Sequence, residues 1–280
     1  MEWRGRRGSR NIEDRRSSSG AKAGGIGGVG VIAVLVIGYF LGIDVTPLLQ
    51  QSGPQSTGPV ELTEADMAAG EFVSVTLADT EEVWAQLFQE QLGRTYQPAT
   101  LVLFKGVTQS PCGGASGATG PFYCPGDKKA YLDTDFFTVM ETRLGAKGDF
   151  AAAYVVAHEI SHHVQNELGI LGQANQLRQQ VSEADSNAIS VRIELQADCL
   201  SGVWARTASQ NFGSISRGDI EEAVNAARQI GDDTLQKAAG QRPMPHTFTH
   251  GTAEQRAGWF ITGLESGQIA DCDTFATDDL

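Results

Sequence analysis

The chain is poor in cysteine: it has four in 280 residues, and no two of them show the spacing Cys-x-x-Cys. That absence argues against a zinc site built from cysteine thiolates. An even number of cysteines, all beyond residue 43, is typical of disulfides in an oxidising compartment. Cys112 and Cys124 flank a loop rich in Gly, Ser and Ala, so we predict that they are bonded, and by elimination that Cys199 bonds Cys272. The alternative is a buried, unbonded Cys199 with a free Cys272.

Charge is absent from residues 26–43, a stretch rich in apolar residues and glycine. As a helix rising 1.5 Å per residue it would span about 27 Å, enough for the hydrocarbon core of a bilayer. Residues 1–25 carry six Arg and one Lys against three acids, which predicts that this side stays in the cytoplasm. A cleaved signal peptide is the alternative, but no Ala-x-Ala pattern follows the stretch. We therefore predict a single-pass membrane anchor, with the C-terminal domain outside the cytoplasm.

Positive charge is scarce beyond this stretch. Residues 44–280 contain 14 basic and 31 acidic side chains, a net charge of −17. Such a surface argues against nucleic acid or anionic lipid as a partner of this part of the chain. The excess of acid is sufficiently explained as a charged surface that keeps a domain soluble.

Composition divides the chain into a basic N-terminus at 1–25, the anchor at 26–43, a Pro- and Gly-rich linker at 44–61 and a domain at 62–280. The domain is predicted to contain helices at Asp79–Gly93 (with Asp79 as N-cap), Thr134–Leu144, Asp149–Leu168, Glu183–Ala208, Ile220–Ile230 and Ala253–Leu264, a strand at Leu101–Phe104, a hairpin within 122–133, and a frayed acidic tail from Asp271 to Leu280. This order favours an α+β fold, mainly helical with a small sheet.

His158 and His162 belong to a His-Glu-x-x-His motif inside the predicted helix Asp149–Leu168. Residues at this spacing lie about 40° apart around a helix, so both imidazoles point the same way. The pair can hold a divalent metal, and Glu159 is carried beside it as a base for a water activated by that metal. An apolar stripe lies nearly opposite, at Ala153, Ala157, Ile160, Val164 and Leu168. The alternative is that the histidines are two polar residues on a solvated face.

A third ligand is needed, and Glu194 is the best candidate. Glu194 and Asp198 share one face of the next long helix, among apolar residues where unpaired carboxylates are costly. We predict that Glu194 binds zinc and that Asp198 accepts a hydrogen bond from a ligand histidine. The alternative is that both carboxylates pair with Arg192 or Arg206 at the surface.

His250 lies in a Pro-rich segment just before a capped helix, and we predict that it is catalytic, as a hydrogen-bond donor to the oxyanion of a tetrahedral intermediate. His246 and Tyr154 are rival donors, the latter one turn before His158 on the same helix face. His163 is rotated some 100° from His162, so it is a neighbour of the site rather than a ligand.

These stretches resemble a known family, the bacterial membrane-anchored neutral zinc metallopeptidases. The matching motifs are Arg4-Gly5-Arg6-Arg7 with Asn11-Ile12-Glu13-Asp14-Arg15-Arg16, Gly120-Pro121-Phe122-Tyr123-Cys124-Pro125 with Tyr131-Leu132-Asp133, His158-Glu159-Ile160-Ser161-His162-His163, Glu194-Leu195-Gln196-Ala197-Asp198-Cys199, and Phe248-Thr249-His250-Gly251-Thr252 leading to Arg256 and Trp259-Phe260. The resemblance spans nearly the whole chain. It implies a zincin-like peptidase that binds zinc through His158, His162 and Glu194, with Glu159 as the base.

The predicted function is therefore zinc-dependent hydrolysis of peptide bonds in proteins or peptides outside the cytoplasm, with one zinc per chain and no nucleic acid partner. An edge strand of the hairpin near the metal is a candidate for pairing with an extended peptide, although the hairpin could equally just cover the core. Two other functions stay open: a zinc hydrolase of a non-protein amide such as one in the cell wall, and a non-catalytic binding module stabilised by zinc.

Overall fold

The computed structural model describes residues 1–17, 61–116 and 120–280. Its helices are α1 (Glu64–Leu92), α2 (Asp135–Thr142), α3 (Asp149–Glu167), α4 (Ile170–Arg178), α5 (Glu183–Phe212), α6 (Arg217–Gln229), α7 (Asp232–Ala238) and α8 (Ala253–Ser266). Its strands are β1 (Ile12–Asp14), β2 (Thr100–Phe104), β3 (Val107–Ser110), β4 (Gly113–Ser116), β5 (Phe122–Cys124) and β6 (Lys129–Asp133). This mixture confirms the predicted class, α+β and mainly helical with a small sheet.

Membrane anchoring was predicted for residues 26–43, which lie outside the described residues together with the linker at 44–60. Within the parts of the chain that the structure describes, no helix is both long enough and apolar enough to cross a bilayer.

The main sheet has four strands in the order β1-β2-β6-β5. Strand β2 pairs in parallel with β1 and with β6, whereas β5 and β6 form the predicted antiparallel hairpin. Leu101–Phe104 is buried along its length, as expected for a parallel strand between other layers. Tyr131 lies on the interior strand β6, so the free edge of the hairpin belongs to β5.

Helix α1 is twice as long as predicted. It begins after Thr63, whose side chain forms a capping box with Asp66, and it ends at Gly93, which has a φ of 62°. Asp79 was predicted as the N-cap, which is wrong: it lies in the middle of the helix and is buried. A buried carboxylate is tolerated there because Arg6 pairs with it, with Nη2 of Arg6 2.7 Å from Oδ1 of Asp79.

Helices α3 and α5 form the body around the site and pack against each other. Helix α3 begins at the predicted Asp149, and its apolar stripe from Ala153 to Val164 is buried in the main core. Helix α5 begins at the predicted Glu183 and continues to Phe212, past the predicted end at Ala208. The backbones of α5 and α8 approach so closely that a Cβ on Gly263 would lie 1.8 Å from the carbonyl oxygen of Cys199. Because the two backbones are this close, polar side chains of α8 can contact buried side chains of α5.

Both predicted disulfides are present, Cys112–Cys124 and Cys199–Cys272. The alternative of a free Cys272 is therefore wrong. The second bond joins α5, one residue after Asp198, to the C-terminal segment.

The acidic C-terminal segment is not frayed, contrary to the prediction. The side chain of Thr274 is buried, and its hydroxyl donates to the carbonyl oxygen of Arg192 at 2.7 Å. Arg192 in turn donates to the carbonyl oxygens of Thr274 and Thr277. These bonds and the Cys199–Cys272 disulfide hold the segment on α5 in spite of its charge.

Candidate metal centre

Helices α3 and α5 bring three potential metal ligands together. His158 and His162 lie one turn apart on α3, and Glu194 faces them from α5. Nε2 of His158 is 3.0 Å from Oε2 of Glu194, and Nε2 of His162 is 3.5 Å from Oε1 of the same carboxylate. One ligand atom from each of the three side chains lies within 4.8 Å of the others. Two imidazole nitrogens and one carboxylate oxygen form a donor set used by catalytic zinc sites, which keep a further position for water.

The ring of His158 is oriented by Asp198, one turn after Glu194 on α5. Nδ1 of His158 lies 2.8 Å from Oδ1 of Asp198. Because an ionised carboxylate can only accept, Nδ1 carries the proton, and Nε2 is left to face Glu194. The alternative partners for these carboxylates do not pair with them: Arg192 binds the C-terminal segment, and Arg206 donates to the carbonyl oxygens at 264 and 265.

The ring of His162 is oriented by Gln165, three residues later on the same helix. Nδ1 of His162 lies 2.8 Å from Oε1 of Gln165. Nε2 of Gln165 donates to the carbonyl oxygen of Ile193 at 2.7 Å and to Oε1 of Gln196 at 3.0 Å, which fixes the orientation of the amide. Nδ1 of His162 is thus the protonated nitrogen, and Nε2 again points to Glu194.

Asp198 is itself held by Arg256 from α8, which is 2% exposed, and by Tyr154 from α3, which is fully buried. The hydroxyl of Tyr154 donates to Oδ1 of Asp198 and accepts from Nη2 of Arg256 at 3.3 Å. Tyr154 was a rival candidate for binding the oxyanion, but its hydroxyl is committed to this buried network.

The centre favours a positive charge. Burial lowers the pKa of His158, but Asp198 and Glu194 outweigh burial and raise this pKa to about 10. Burial likewise lowers the pKa of His162, and Glu194 raises it above its usual value. Burial raises the pKa of Glu194, but His162 and hydrogen bonds from both histidines hold it well below its usual range. A divalent cation would supply the charge that these groups favour, so the donor set fits zinc in both chemistry and electrostatics.

Glu159 sits between the two histidines in sequence and is buried, with 8% of the residue exposed. Burial raises its pKa, although the neighbouring His162 and His158 act in the opposite direction. Among the described residues, none forms a hydrogen bond with its carboxylate. A buried carboxyl group with a raised pKa and no such hydrogen bond is suited to accept a proton from a water molecule at the centre.

His250 lies in the loop between α7 and α8, where Asp232 holds it in place. Oδ1 of Asp232 is 3.2 Å from Nδ1 of His250, while Oδ2 accepts from the backbone nitrogens of Thr249, His250 and Gly251. The His250 ring is close enough to Glu194 for its charge to lower the pKa of that carboxyl. The side chain is 49% exposed to solvent.

The other two candidate histidines are placed elsewhere. His163 is buried, with Nδ1 3.0 Å from the hydroxyl of Tyr123 and Nε2 2.6 Å from the carbonyl oxygen of Gln97. Both of its nitrogens are therefore used in linking α3 to β5 and to the segment before β2. His246 is exposed on the 3-10 turn Pro245–Thr247 and is not part of the cluster.

Comparison with known proteins identifies the family. Residues 1–275 match the profile of a family described as "Putative neutral zinc metallopeptidase". The chain belongs to this family. It is 48% identical to "Uncharacterized protein YpfJ" of Escherichia coli (strain K12), over 98% of this chain and 99% of that one. It is also 48% identical to "Uncharacterized protein Rv2575" of Mycobacterium tuberculosis (strain ATCC 25618 / H37Rv), over 64% of this chain and 62% of that one. No solved structure matches.

Membership in the neutral zinc metallopeptidase family supports zinc as the metal of this centre. Sequence reasoning missed three residues that orient its side chains: Gln165, Asp232 and Arg256. Gln165 had a usable signal, because an amide three residues after a ligand histidine shares its helix face. Arg256 appeared only as part of a motif shared with the family, and Asp232 had no signal, since each reaches its partner only through the tertiary packing of α5, α7 and α8.

Proposed function

We propose that the chain is a zinc-dependent peptidase that hydrolyses peptide bonds outside the cytoplasm. The observation that carries this proposal is the convergence of His158, His162 and Glu194, with each histidine presenting Nε2 to one shared position. Two disulfides support an oxidising compartment as its place of action.

The residues have separate roles in the proposed reaction. Bound at this centre, zinc would lower the pKa of a coordinated water and polarise the scissile carbonyl. Glu159 accepts the proton of the attacking water and passes it to the leaving nitrogen. His250, whose Nδ1 faces Asp232, donates a hydrogen bond from Nε2 in its protonated form, which Asp232 favours, to the oxygen of the carbonyl as negative charge develops there. Asp198 and Gln165 hold the two histidine rings in position through their Nδ1 protons.

An extended peptide is the substrate that the sheet best supports. Within the described residues, no strand pairs with the outer edge of β5, and β5 is linked to α3, the helix of both histidines, through the hydroxyl of Tyr123 and Nδ1 of His163. A peptide that pairs with β5 would be held by main-chain hydrogen bonds, so many sequences would be accepted. This favours peptide bonds over the alternative of a non-protein amide.

The test is hydrolysis of an unstructured protein such as casein by the purified full chain, together with Glu159→Gln. Wild type should contain one zinc and cleave the substrate, whereas Glu159→Gln should keep zinc and lose at least about 10²-fold in turnover. Glu167→Gln, on the same helix, is the matched control and should remain active. Zinc-loaded wild type that cleaves no unstructured protein would contradict the peptidase proposal, and loss of zinc from Glu159→Gln would make that residue structural.

A further inference from the structure

Residues 1–17 pack against the domain of residues 61–280 as one segment, which turns at residues 4–6 and then continues into β1. Trp3 is 6% exposed, and its ring packs edge-to-face on Phe72 of α1 with centroids 5.6 Å apart. Nε1 of Trp3 donates to Oδ2 of Asp149 at 2.9 Å. Because Asp149 is the first residue of α3, the segment holds the beginning of the helix that carries both histidines.

Arg6 is the electrostatic anchor of the segment. Its Nη1 and Nη2 each lie 2.7 Å from one oxygen of Asp79, and its guanidinium stacks over the ring of Phe212 at 4.3 Å. Burial raises the pKa of Asp79 to about 6 even though Arg6 lowers it. Without Arg6, the domain would contain a carboxylate buried in the middle of α1 with its main charged partner removed, which is strongly destabilising.

The segment then becomes a strand of the main sheet. Ile12–Asp14 pair in parallel with Leu101–Leu103, so β1 covers an edge of β2 that would otherwise expose unpaired backbone groups. Glu13 also accepts from Nζ of Lys129 at 2.6 Å, which links β1 to β6 across β2.

Small residues on both partners allow this close fit. Arg16 is 6% exposed, and a Cβ on Gly70 of α1 would lie 2.3 Å from its Nη2. On the segment itself, a Cβ on Gly8 would lie 3.5 Å from the Cβ of Ser74. The segment and the surface of the domain that it covers are thus complementary in shape, charge and backbone hydrogen bonding at five separate points.

We propose that the domain of residues 61–280 carries a dedicated binding surface for residues 3–16 of its own chain, and that segment and domain lie on the same side of the membrane. A single crossing by residues 26–43 would place the two on opposite sides of the bilayer. The docked segment and the single-pass topology predicted from the sequence therefore exclude each other in one molecule. Three features of the domain fit this occupant: the buried Asp79 pairs with Arg6, Gly70 leaves room for the guanidinium of Arg16, and β2 pairs with β1.

The test is a cross-link between segment and domain in the full chain. The double variant Gly8→Cys with Ser74→Cys places two Cβ atoms at 3.5 Å, within the range of disulfides, and the four natural cysteines are already bonded. Oxidation of isolated membranes should cross-link the variant within one chain, seen as a mobility shift without reductant. Gly8→Cys with Gln89→Cys is the control, because Gln89 lies about 22 Å farther along α1 and should not react.

Two outcomes would overturn the proposal: no cross-link in zinc-loaded Gly8→Cys/Ser74→Cys, or a cross-link that joins two chains.

A second measurement does not depend on cysteines. Arg6→Ala should lower the Tm by roughly 10 °C, and adding Asp79→Asn should restore part of that loss by removing the unpaired charge. An unchanged Tm in Arg6→Ala would show that the segment is not docked. None of these readouts uses peptidase activity, so they stand apart from the proposed function.

Discussion

Arg256 forms a two-point pair with Asp198, from Nε to Oδ2 at 2.8 Å and from Nη2 to Oδ1 at 3.0 Å. Both side chains are buried, and Nη1 of the same guanidinium donates to the carbonyl oxygen of Ile230 at 3.2 Å. Burial raises the pKa of Asp198, but Arg256 and then His158 outweigh burial and lower it below its usual value. The carboxylate that orients His158 is therefore kept ionised by a residue outside the group of three potential ligands.

Removal of Arg256 should destabilise the whole domain. Arg256→Ala leaves Asp198 buried without its main charged partner, so we expect the free energy of unfolding to fall by about 3–5 kcal/mol. Denaturant titration measures this. Arg206→Ala is the control and should cost much less, because the half-buried Arg206 binds, among the described residues, backbone carbonyl oxygens rather than a buried carboxylate. Equal losses in the two variants would contradict the role given to the buried pair.

Gln165 should determine zinc affinity. In Gln165→Leu, Nδ1 of His162 loses its acceptor, so the ring is free to turn and affinity should fall by about 10- to 100-fold. Competition with a chromogenic chelator measures the dissociation constant. Gln165→Glu keeps an acceptor oxygen for Nδ1 of His162, so its zinc affinity should fall less than that of Gln165→Leu. If Gln165→Leu binds zinc as tightly as wild type, the amide does not orient the ligand.

His250 should act on turnover and not on metal binding. Loss of one donor to a developing oxyanion costs about 10²–10³ in kcat, and His250→Ala should show a loss of that size with its zinc content unchanged. Asp232→Asn should show a smaller loss of the same kind, because the amide oxygen can still accept from Nδ1. His246→Ala is the matched control in the same loop. Loss of zinc from His250→Ala would mean that this residue is a ligand.

Acid should weaken the fold through Asp66 of α1. Hydrogen bonds from Lys105 and from Thr63 lower its pKa to about 2, compared with 3.8 when it is free. Its pKa is lower in the folded state, so its contribution is present above about pH 4 and is lost as the pH falls toward 2. We expect wild type to lose roughly 1 kcal/mol more than Asp66→Asn between pH 5 and pH 2, allowing for solvent screening. Loss of zinc at low pH affects both proteins alike. If the free energy of unfolding falls equally with pH in both proteins, the Asp66 carboxylate does not stabilise the fold.

Local patterns predicted a large part of the site. The spacing of His158 and His162 placed both rings on one helix face, and the apolar stripe opposite them is buried as expected. Helices α6 and α8 were also predicted; each begins at a capping box, at Ser216 and Thr252, and such boxes depend only on residues three apart.

The features that the sequence did not reveal depend on long-range partners. Asp79 resembles an N-cap, a small acidic residue followed three positions later by Glu82, and only the docking of Arg6 allows it inside a helix. The C-terminal segment has the composition of a solvated tail, yet Arg192 and a disulfide hold it. In each case the stabilising partner is a residue far along the chain, so local sequence propensity does not reveal it.

The most direct test of the account is the zinc K-edge absorption spectrum of the purified full chain, with metal content measured on the same sample. We predict one zinc per chain, bound by two imidazole nitrogens and carboxylate oxygen at about 2.0–2.2 Å, with no sulfur neighbour. Glu194→Ala should lose the metal or the carboxylate contribution. A chain that binds no zinc, or binds it through sulfur at about 2.3 Å, would contradict the centre formed by His158, His162 and Glu194.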